Sequence, residues 1–167
     1  MREAIGASWL MIIVMTFIAL FSGYLAFSIN YSKAFKVKDG IVDRLEKHSG
    51  PNCGAGTGCK GSIDDIAEML TDVGYNSKGD CRKVFGNSDL KFIGVTENYV
   101  VKNPETGRYN YCVQRVSTRN PSGQLNAAYY KVAVFFSLSV PIIDFGSSFH
   151  VTGETTIVNY PEDDWMG

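Results

Sequence analysis

The sequence predicts an α+β fold in which a long N-terminal helix packs on an antiparallel β-meander. Three observations lead to this prediction. Residues 4–29 carry no charge, and the residues after them place apolar side chains at helical spacing. The C-terminal half contains runs in which apolar and polar residues alternate, as in half-buried strands. The helical and strand signals are segregated along one chain of 167 residues, which indicates a single α+β domain.

Residues 1–29 are predicted to be a membrane anchor. From Ala7 to Ile29 the sequence contains neither charge nor proline and would extend about 34 Å as a helix, enough to cross the hydrocarbon core of a bilayer. Trp9 and Tyr24 lie near its ends, where aromatic rings favour the membrane surface. A signal peptide has a shorter apolar region, and a buried helix this apolar needs a larger protein around it. The segment therefore predicts contact with membrane lipid.

Residues 30–48 are predicted to continue the same helix as an amphipathic segment. No proline interrupts it, and Gly50 and Pro51 are expected to cap and end it. Its apolar stripe, at spacings of three or four, consists of Ala34, Val37, Ile41 and Leu45. This stripe needs a partner, and we expect it to pack on the sheet.

Residues 49–80 are predicted to form a Cys- and Gly-rich loop followed by a short helix. Ser62 is expected to begin this helix, with Asp65 completing a capping box, and Gly74 to end it. The predicted core face of the helix consists of Ile63, Ile66, Ala67, Leu70 and Val73.

Residues 81–160 are predicted to form the sheet, and residues 161–167 an acidic tail. "LKFIGV" indicates a first strand, and "KNPETG" a turn that joins "ENYVV" and "RYNYCVQRVS" as a hairpin. "AAYYKVAVFFSLSVPII" indicates a long strand that Pro141 ends, "DFGSS" a turn, and "FHVTGETTIVNY" the returning strand. Alternation in the long strand places Val132, Val134, Phe136 and Leu138 on one face and Lys131, Phe135, Ser137 and Ser139 on the other.

The Gly-rich stretch "NCGAGTGCKGS", residues 52–62, shares only its composition with nucleotide-binding loops. Cys59 and Gly61 interrupt the spacing that a phosphate-binding loop requires, and a helix rather than a strand precedes it. Glycines in this number allow tight backbone turns. The stretch is therefore interpreted as a turn that cysteines fasten.

The four cysteines, Cys53, Cys59, Cys81 and Cys112, all follow the predicted anchor. A zinc site that adds His48 to three of them is the alternative to disulfides, but their spacing is looser than in zinc knuckles. We favour the pairs Cys53–Cys59 and Cys81–Cys112, one of the three connectivities that four cysteines allow.

Charge and motifs favour neither an enzyme nor a nucleic-acid-binding protein. The net charge is −1, so no overall positive potential would attract nucleic acid. The two histidines, His48 and His150, fall at a helix end and in a strand, and the sequence lacks nucleophile-elbow and zinc-protease motifs. We expect no catalytic residues, no cofactor and no metal.

The order of these parts resembles the type IV pilin superfamily, and most of all the Tad-type pseudopilins of the TadE/TadG kind. The resemblance rests on the entry through Arg2 and Glu3 with small residues after them, on the continuation "NYSKAFKVKDGIVDRLEK", and on the ending "YYKVAVFFSLSVPIIDFGSSFHVTGETTIVNY". The family's glutamate near the start of the mature helix has no counterpart if cleavage follows Gly6, since Met11 then takes its place. The resemblance implies a bacterial envelope protein that assembles with like subunits, through its apolar helix, into a pilus-like or secretion-related structure.

Small residues within the anchor would allow two such helices to approach closely, and the expected assembly face is Ala19, Gly23 and Ala26. The alternative function is a monomeric membrane-tethered binding or sensing domain. Its site would be lined by the tyrosines of the strands, Tyr99, Tyr109, Tyr111, Tyr129 and Tyr130.

Two features disagree on the orientation of the anchor. Lys33, Lys36 and Lys38 follow it, which favours a cytoplasmic C-terminal domain by the positive-inside rule. An even set of cysteines in loop-rich sequence favours an oxidising compartment instead. We give the cysteines and the resemblance more weight, and expect a single-pass protein of the bacterial cytoplasmic membrane with the N-terminus inside.

Overall fold

The computed structural model describes residues 2–51, 61–86, 92–96, 99–119, 125–140 and 143–157. Its elements, in order, are α1 (Arg2–Lys47), α2 (Ser62–Asp72), α3 (Cys81–Phe85), β1 (Phe92–Thr96), β2 (Tyr99–Lys102), β3 (Tyr111–Arg119), β4 (Leu125–Val140) and β5 (Ile143–Glu154). The strands form one five-stranded antiparallel sheet, and α1 packs on it. The predicted α+β fold is confirmed.

The sheet has the strand order β2-β1-β3-β4-β5, so β3, β4 and β5 form a meander. The predicted hairpin between "ENYVV" and "RYNYCVQRVS" is wrong, because β1 lies between β2 and β3 and pairs with both. In the β1–β2 hairpin Thr96 pairs with Tyr99, so β2 forms its ladder with the strand just before it. A short loop costs less closure entropy than a longer one. "KNPETG" leads from β2 toward β3, which run parallel to one another on either side of β1, and its composition does not reveal which strand β2 pairs with.

The β4–β5 hairpin is longer than predicted. β4 ends at Val140, directly before Pro141, as expected. The predicted turn at "DFGSS" is wrong, since residues 144–148 lie in β5 and the pair Val140↔Ile143 closes the hairpin. The register shifts between Ser137 and Leu138. Such an irregularity bends the strand and increases its local twist.

Helix α1 is continuous over 46 residues, which confirms the predicted continuation of the anchor into the amphipathic segment. Its end differs in one detail. The left-handed residue is Ser49, with φ 58°, and not Gly50. The amide of Gly50 donates to the Leu45 carbonyl at 2.8 Å and that of Ser49 to the Glu46 carbonyl at 3.1 Å, which is a Schellman arrangement. Gly50 is instead required by its own φ of 132° and by the hydroxyl of Tyr130, 2.7 Å from where a Cβ would lie.

The core lies between α1, α2 and one face of the sheet. All four residues of the predicted stripe of α1 are at most 2% exposed and belong to it, as do Val132, Val134 and Phe136 of β4. Lys38, which the stripe does not include, is also buried. Its aliphatic stem lies over Gly153, and its Nζ contacts Asp39 Oδ1 at 2.7 Å and the ring of Phe35, whose centroid is 3.8 Å away. Lysines commonly bury the stem while the charged end stays at the surface.

Helix α2 begins differently from the prediction. The N-cap residue is Gly61, without a side-chain cap, and Ser62 is the first helical residue. The predicted capping box is therefore wrong: the Ser62 hydroxyl donates to the Gly50 carbonyl at 2.8 Å, and Asp65 is hydrogen-bonded to His48. The core face is confirmed for Ile63, Ile66 and Leu70, but not for Val73, which is 44% exposed. Gly74 ends the helix as predicted, with φ 60°.

The opposite face of the sheet is covered by a segment that was predicted to be sheet. Residues 81–85 are the short helix α3, and the side chain of Asp80 caps it by accepting from the Arg82 amide at 3.0 Å. The domain boundary at residue 81 is thus wrong, since the sheet begins at Phe92. A second apolar cluster lies here, made of Cys81, Phe92, Tyr109, Cys112, Ala133 and Phe135. The acidic tail, residues 161–167, lies outside the described residues.

Candidate functional site

The largest exposed apolar surface of the described chain is the N-terminal half of α1. Fifteen large apolar side chains from Trp9 to Ile29 are exposed, with values from 37% to 70%. By length and composition, α1 is the one described helix that could cross a membrane, and its apolar window is not buried against the protein. A soluble domain rarely leaves an apolar surface of this size in water.

The predicted assembly residues share one side of this surface. At about 100° per residue, Ala19, Gly23 and Ala26 fall within about 60° of each other around the helix. The same projection places them on the side of α1 that carries the buried stripe further along, so their face continues the sheet-packing face beyond the sheet. A Cβ added at Gly23 would meet no atom of the described chain within 4 Å. Among the described residues, none therefore fills the space beside Gly23.

An aromatic cluster joins the exposed half of α1 to the sheet. Phe27 lies in the uncharged segment, and its ring centroid is 5.9 Å from that of Phe136 on β4 and 6.2 Å from that of Phe149 on β5. The ring centroid of Tyr31 is 6.0 Å from that of Phe136 and 6.4 Å from that of Phe35. Edge-to-face and stacked pairs at these separations are favourable. The cluster fixes the sheet directly to the last turns of the candidate span.

The favoured cysteine pair Cys81–Cys112 is a disulfide in the structure, with Cα atoms 5.7 Å apart. It ties α3 to β3 within the second apolar cluster. Cys53 and Cys59 lie outside the described residues, so their predicted pairing stays a prediction. Because Cys81 is in a disulfide, it is not available as a thiolate ligand for the alternative zinc site. Among the described residues no group of three or more His, Cys, Asp or Glu side chains is placed to hold a metal ion.

The predicted tyrosine site is not assembled as one surface. Tyr109, Tyr111 and Tyr130 are buried, on different faces of the sheet, and Tyr129 is half-buried. The side chain of Tyr99 lies outside the described part. One of the five, Tyr111, does line a cavity that the sequence did not indicate.

This cavity is a groove of about 480 Å³ beside α2, and it opens to solvent. Its walls come from α2, from the turn that follows this helix, and from the ends of β1 and β3. The lining residues are Ala67, Glu68, Leu70, Thr71, Gly74, Tyr75, Asn76, Val95, Thr96 and Tyr111. No local signal could have revealed the groove, because its walls are distant in sequence.

Two tyrosine hydroxyls in this groove differ in their surroundings. Tyr75 donates to the Phe135 carbonyl, and burial raises its pKa despite a hydrogen bond with Ser77. The Tyr111 hydroxyl is buried and has no hydrogen-bond partner among the described residues. Burial, and then the negative charge of Asp64, raise the pKa of Tyr111, so the group stays protonated and able to donate. An unpaired buried hydroxyl costs roughly 1–3 kcal/mol of stability.

No family model matches the chain, and no curated protein or solved structure is significantly similar to it.

The remaining titratable contacts lie on the sheet edge and at the helix junction. His48 Nε2 is 2.9 Å from Asp65 Oδ2, and this hydrogen bond is the main cause that lowers the pKa of Asp65. Lys131 Nζ is 3.0 Å from Glu154 Oε1 across the β4–β5 ladder, a hydrogen bond that raises the pKa of Lys131. His150 is exposed on β5. These pairs are separate from one another, and we assign them to stability.

Proposed function

We propose that this protein is a non-enzymatic, membrane-anchored, pilin-like subunit of a bacterial envelope pilus or secretion-type assembly. The observation that carries the proposal is the continuity of α1. One unbroken helix holds an exposed apolar half and a half that is buried against the sheet. The folded domain and the apolar helix thus form one body, so contact between helices of two copies would also fix the positions of their domains.

The exposed half of α1 offers two ways to bury its apolar surface. It can lie in lipid as a single-pass anchor, or against copies of itself after assembly. The face of Ala19, Gly23 and Ala26 supports the second, because small residues let helix backbones approach closely. A Cβ at Gly23 would contact no described atom within 4 Å, so bulk added there would not disturb the described part of the same chain. The proposed partners are membrane lipid first and like subunits second.

The proposed location is the bacterial cytoplasmic membrane, with the N-terminus inside and the sheet domain outside. The Cys81–Cys112 disulfide supports this orientation, since disulfides persist in oxidising compartments. Lys33 and Lys36, exposed just after the apolar segment, oppose it by the positive-inside rule. The cysteine argument is given more weight because a structural disulfide has to survive for the life of the protein.

Crosslinking of the full chain in membranes tests the proposal. The exposed amines of Lys33 and Lys36 lie next to the apolar segment, so a short amine-reactive reagent should link neighbouring copies there. We expect a ladder of multiples of the 18.4 kDa chain, which persists when the membranes are diluted by fusion with excess lipid. A ladder that disappears on dilution would show random collision and contradict assembly.

A second function is favoured by the groove beside α2. A membrane-tethered binding domain would use this groove, which has Tyr111 among its lining residues and Glu68 and Thr71 in its wall. Pockets of this kind, apolar with a few polar groups, are typical of ligand sites. A single crosslinked band at every protein-to-lipid ratio would favour this function over assembly.

A further inference from the structure

The long hairpin of β4 and β5 runs along α1 in the direction of the membrane anchor. Three contacts establish the direction. Tyr130 lies against Gly50 just beyond the end of α1, Gly153 lies against Lys38, and Phe136 and Phe149 lie against Phe27. As β4 proceeds toward its end, its partners on α1 therefore move toward the N-terminus. The strand and the helix are antiparallel neighbours.

The hairpin does not stop at the aromatic cluster. Four residues of β4 follow Phe136, and they extend the strand by about 13 Å. The same distance corresponds to about nine residues of α-helix. Because Phe27 is already inside the uncharged segment of α1, the hairpin end reaches the level at which α1 would enter the membrane.

The composition of the hairpin end suits an apolar environment. Its described strand residues, 138–140 and 143–148, include Leu138, Val140, Ile143 and Phe145, and their one charged residue is Asp144. Phe149, at the level of Phe27, is 38% exposed although it is a large aromatic residue. An aromatic ring that is half covered by protein suits the membrane surface, where Phe27 and Tyr31 of the same cluster would also lie if α1 spans the bilayer.

We propose that the end of the β4–β5 hairpin is a second membrane-contacting element, which enters the surface layer of the bilayer beside α1. The inference rests on the proposed function in one respect, that α1 spans a membrane. It adds that the sheet domain is held against the lipid surface at two points rather than at the end of one helix.

Two features limit the depth of this contact to the headgroup layer. β5 is an edge strand, so the outer row of its backbone groups has no ladder partner in the sheet. Such groups are too costly to place in hydrocarbon, but headgroups and water can satisfy them. Asp144 requires the same polar surroundings. Lipid is favoured over a second copy of this chain because the hairpin end is continuous with the anchor, whose surroundings in a membrane are lipid.

Tryptophan reporters in the full chain test this proposal. The two native tryptophans, Trp9 and Trp165, are first changed to Phe. Leu138→Trp and Ser139→Trp then place a reporter on each face of the strand, since neighbouring residues point to opposite faces. Tyr24→Trp reports on the span, and Val101→Trp, at an exposed position on the far edge strand β2, is the control. Each protein is reconstituted in phosphatidylcholine vesicles, with or without bromine on the acyl chains near the glycerol.

We expect bromolipid to quench the tryptophan fluorescence of Tyr24→Trp strongly and that of Val101→Trp not at all. At least one of the two hairpin reporters should be quenched to an intermediate level. Quenching of Tyr24→Trp with neither hairpin reporter affected would overturn the inference and leave the anchor intact. If those unquenched reporters also crosslinked between copies when replaced by a photoreactive residue, the hairpin end would belong to a subunit contact. Absence of quenching at Tyr24→Trp would instead reject the anchor, and the inference with it.

Discussion

Gly79 lies directly against the ring of Phe135. A Cβ built at Gly79 would fall 2.1 Å from Phe135 Cδ1 and 2.3 Å from Cγ, far inside van der Waals contact. The backbone of Gly79 is held there by paired hydrogen bonds with Tyr109, at 2.8 and 2.9 Å. Phe135 itself is 2% exposed and belongs to the second apolar cluster. The segment before α3 can cover this face of the sheet only because residue 79 has no side chain.

We therefore expect Gly79→Ala to lower the free energy of unfolding by about 1–3 kcal/mol, the usual cost of overpacking a core. Urea unfolding of the full chain in detergent micelles, followed by near-ultraviolet circular dichroism, measures it. Gly40→Ala is the matched control. Its Cβ would meet the flexible Met69 side chain at 3.3 Å, and alanine is favoured over glycine within a helix by roughly 1 kcal/mol. Equal stability of the two variants would contradict the packing described here.

The Cys81–Cys112 disulfide should contribute measurably to the same face. It closes a segment of 31 residues, and a disulfide of this kind stabilises by about 2–4 kcal/mol. We expect the double variant Cys81→Ala/Cys112→Ala to unfold at lower urea concentration, with α3 exchanging its amide hydrogens faster than α1 does. Unchanged exchange in α3 would show that the helix does not depend on the disulfide.

In intact cells, thiol labelling of Cys81 or Cys112 without reductant would contradict the extracytoplasmic orientation.

The hydrogen bond between His48 and Asp65 should give a pH-dependent contribution to stability. It lowers the pKa of Asp65 from the ordinary value of 3.8, so folding is favoured wherever this carboxylate is charged in the unfolded chain. The stabilisation is present above about pH 4 and is lost as the pH falls through the lowered pKa of the folded state. The gap in urea midpoint between the wild type and Asp65→Asn should therefore be largest near neutral pH and close in acid.

Asp72→Asn provides the control for this pH series, because Asp72 is an exposed carboxylate at the other end of the same helix. A midpoint gap for Asp65→Asn that stayed constant from neutral to strongly acidic pH would show that the hydrogen bond with His48 does not depend on the charge of Asp65.

The features predicted correctly are those that short periodic patterns determine. The spacing of Ala34, Val37, Ile41 and Leu45 defines one side of a helix wherever the sheet lies, and Pro141 limits β4 by its missing amide hydrogen. The errors concern choices between partners. Ser62 and Asp65 fit a capping box, but Gly50 and His48 offered them other hydrogen bonds. "ENYVV" could pair with either flanking strand, and β2 in fact pairs with β1, the strand that precedes it by the shorter loop.

The α3 helix and the groove depend on tertiary contacts and so gave no sequence signal. Five residues form too short a helix for a periodic pattern, and α3 is fixed by the Asp80 cap and by the disulfide. The buried hydroxyl of Tyr111 has no partner among the described residues, and the groove beside it is formed by elements distant in sequence. A tyrosine in a strand carries no mark that distinguishes such a position from an ordinary packing position.

The open face around Gly23 allows assembly to be separated from membrane insertion. Gly23→Leu places bulk where a second helix backbone would approach, while a more apolar residue favours the membrane at least as well. Ser28→Leu adds similar bulk at an exposed position on the other side of α1, about 140° away around the helix. We expect both variants to stay abundant in the membrane fraction. Gly23→Leu alone should reduce the crosslinked ladder, with Leu20→Ala, which removes bulk instead of adding it, resembling the wild type. Equal ladders from Gly23→Leu and Ser28→Leu would contradict a contact through Ala19, Gly23 and Ala26. A smaller ladder from Ser28→Leu than from Gly23→Leu would place the contact on the opposite side of the helix.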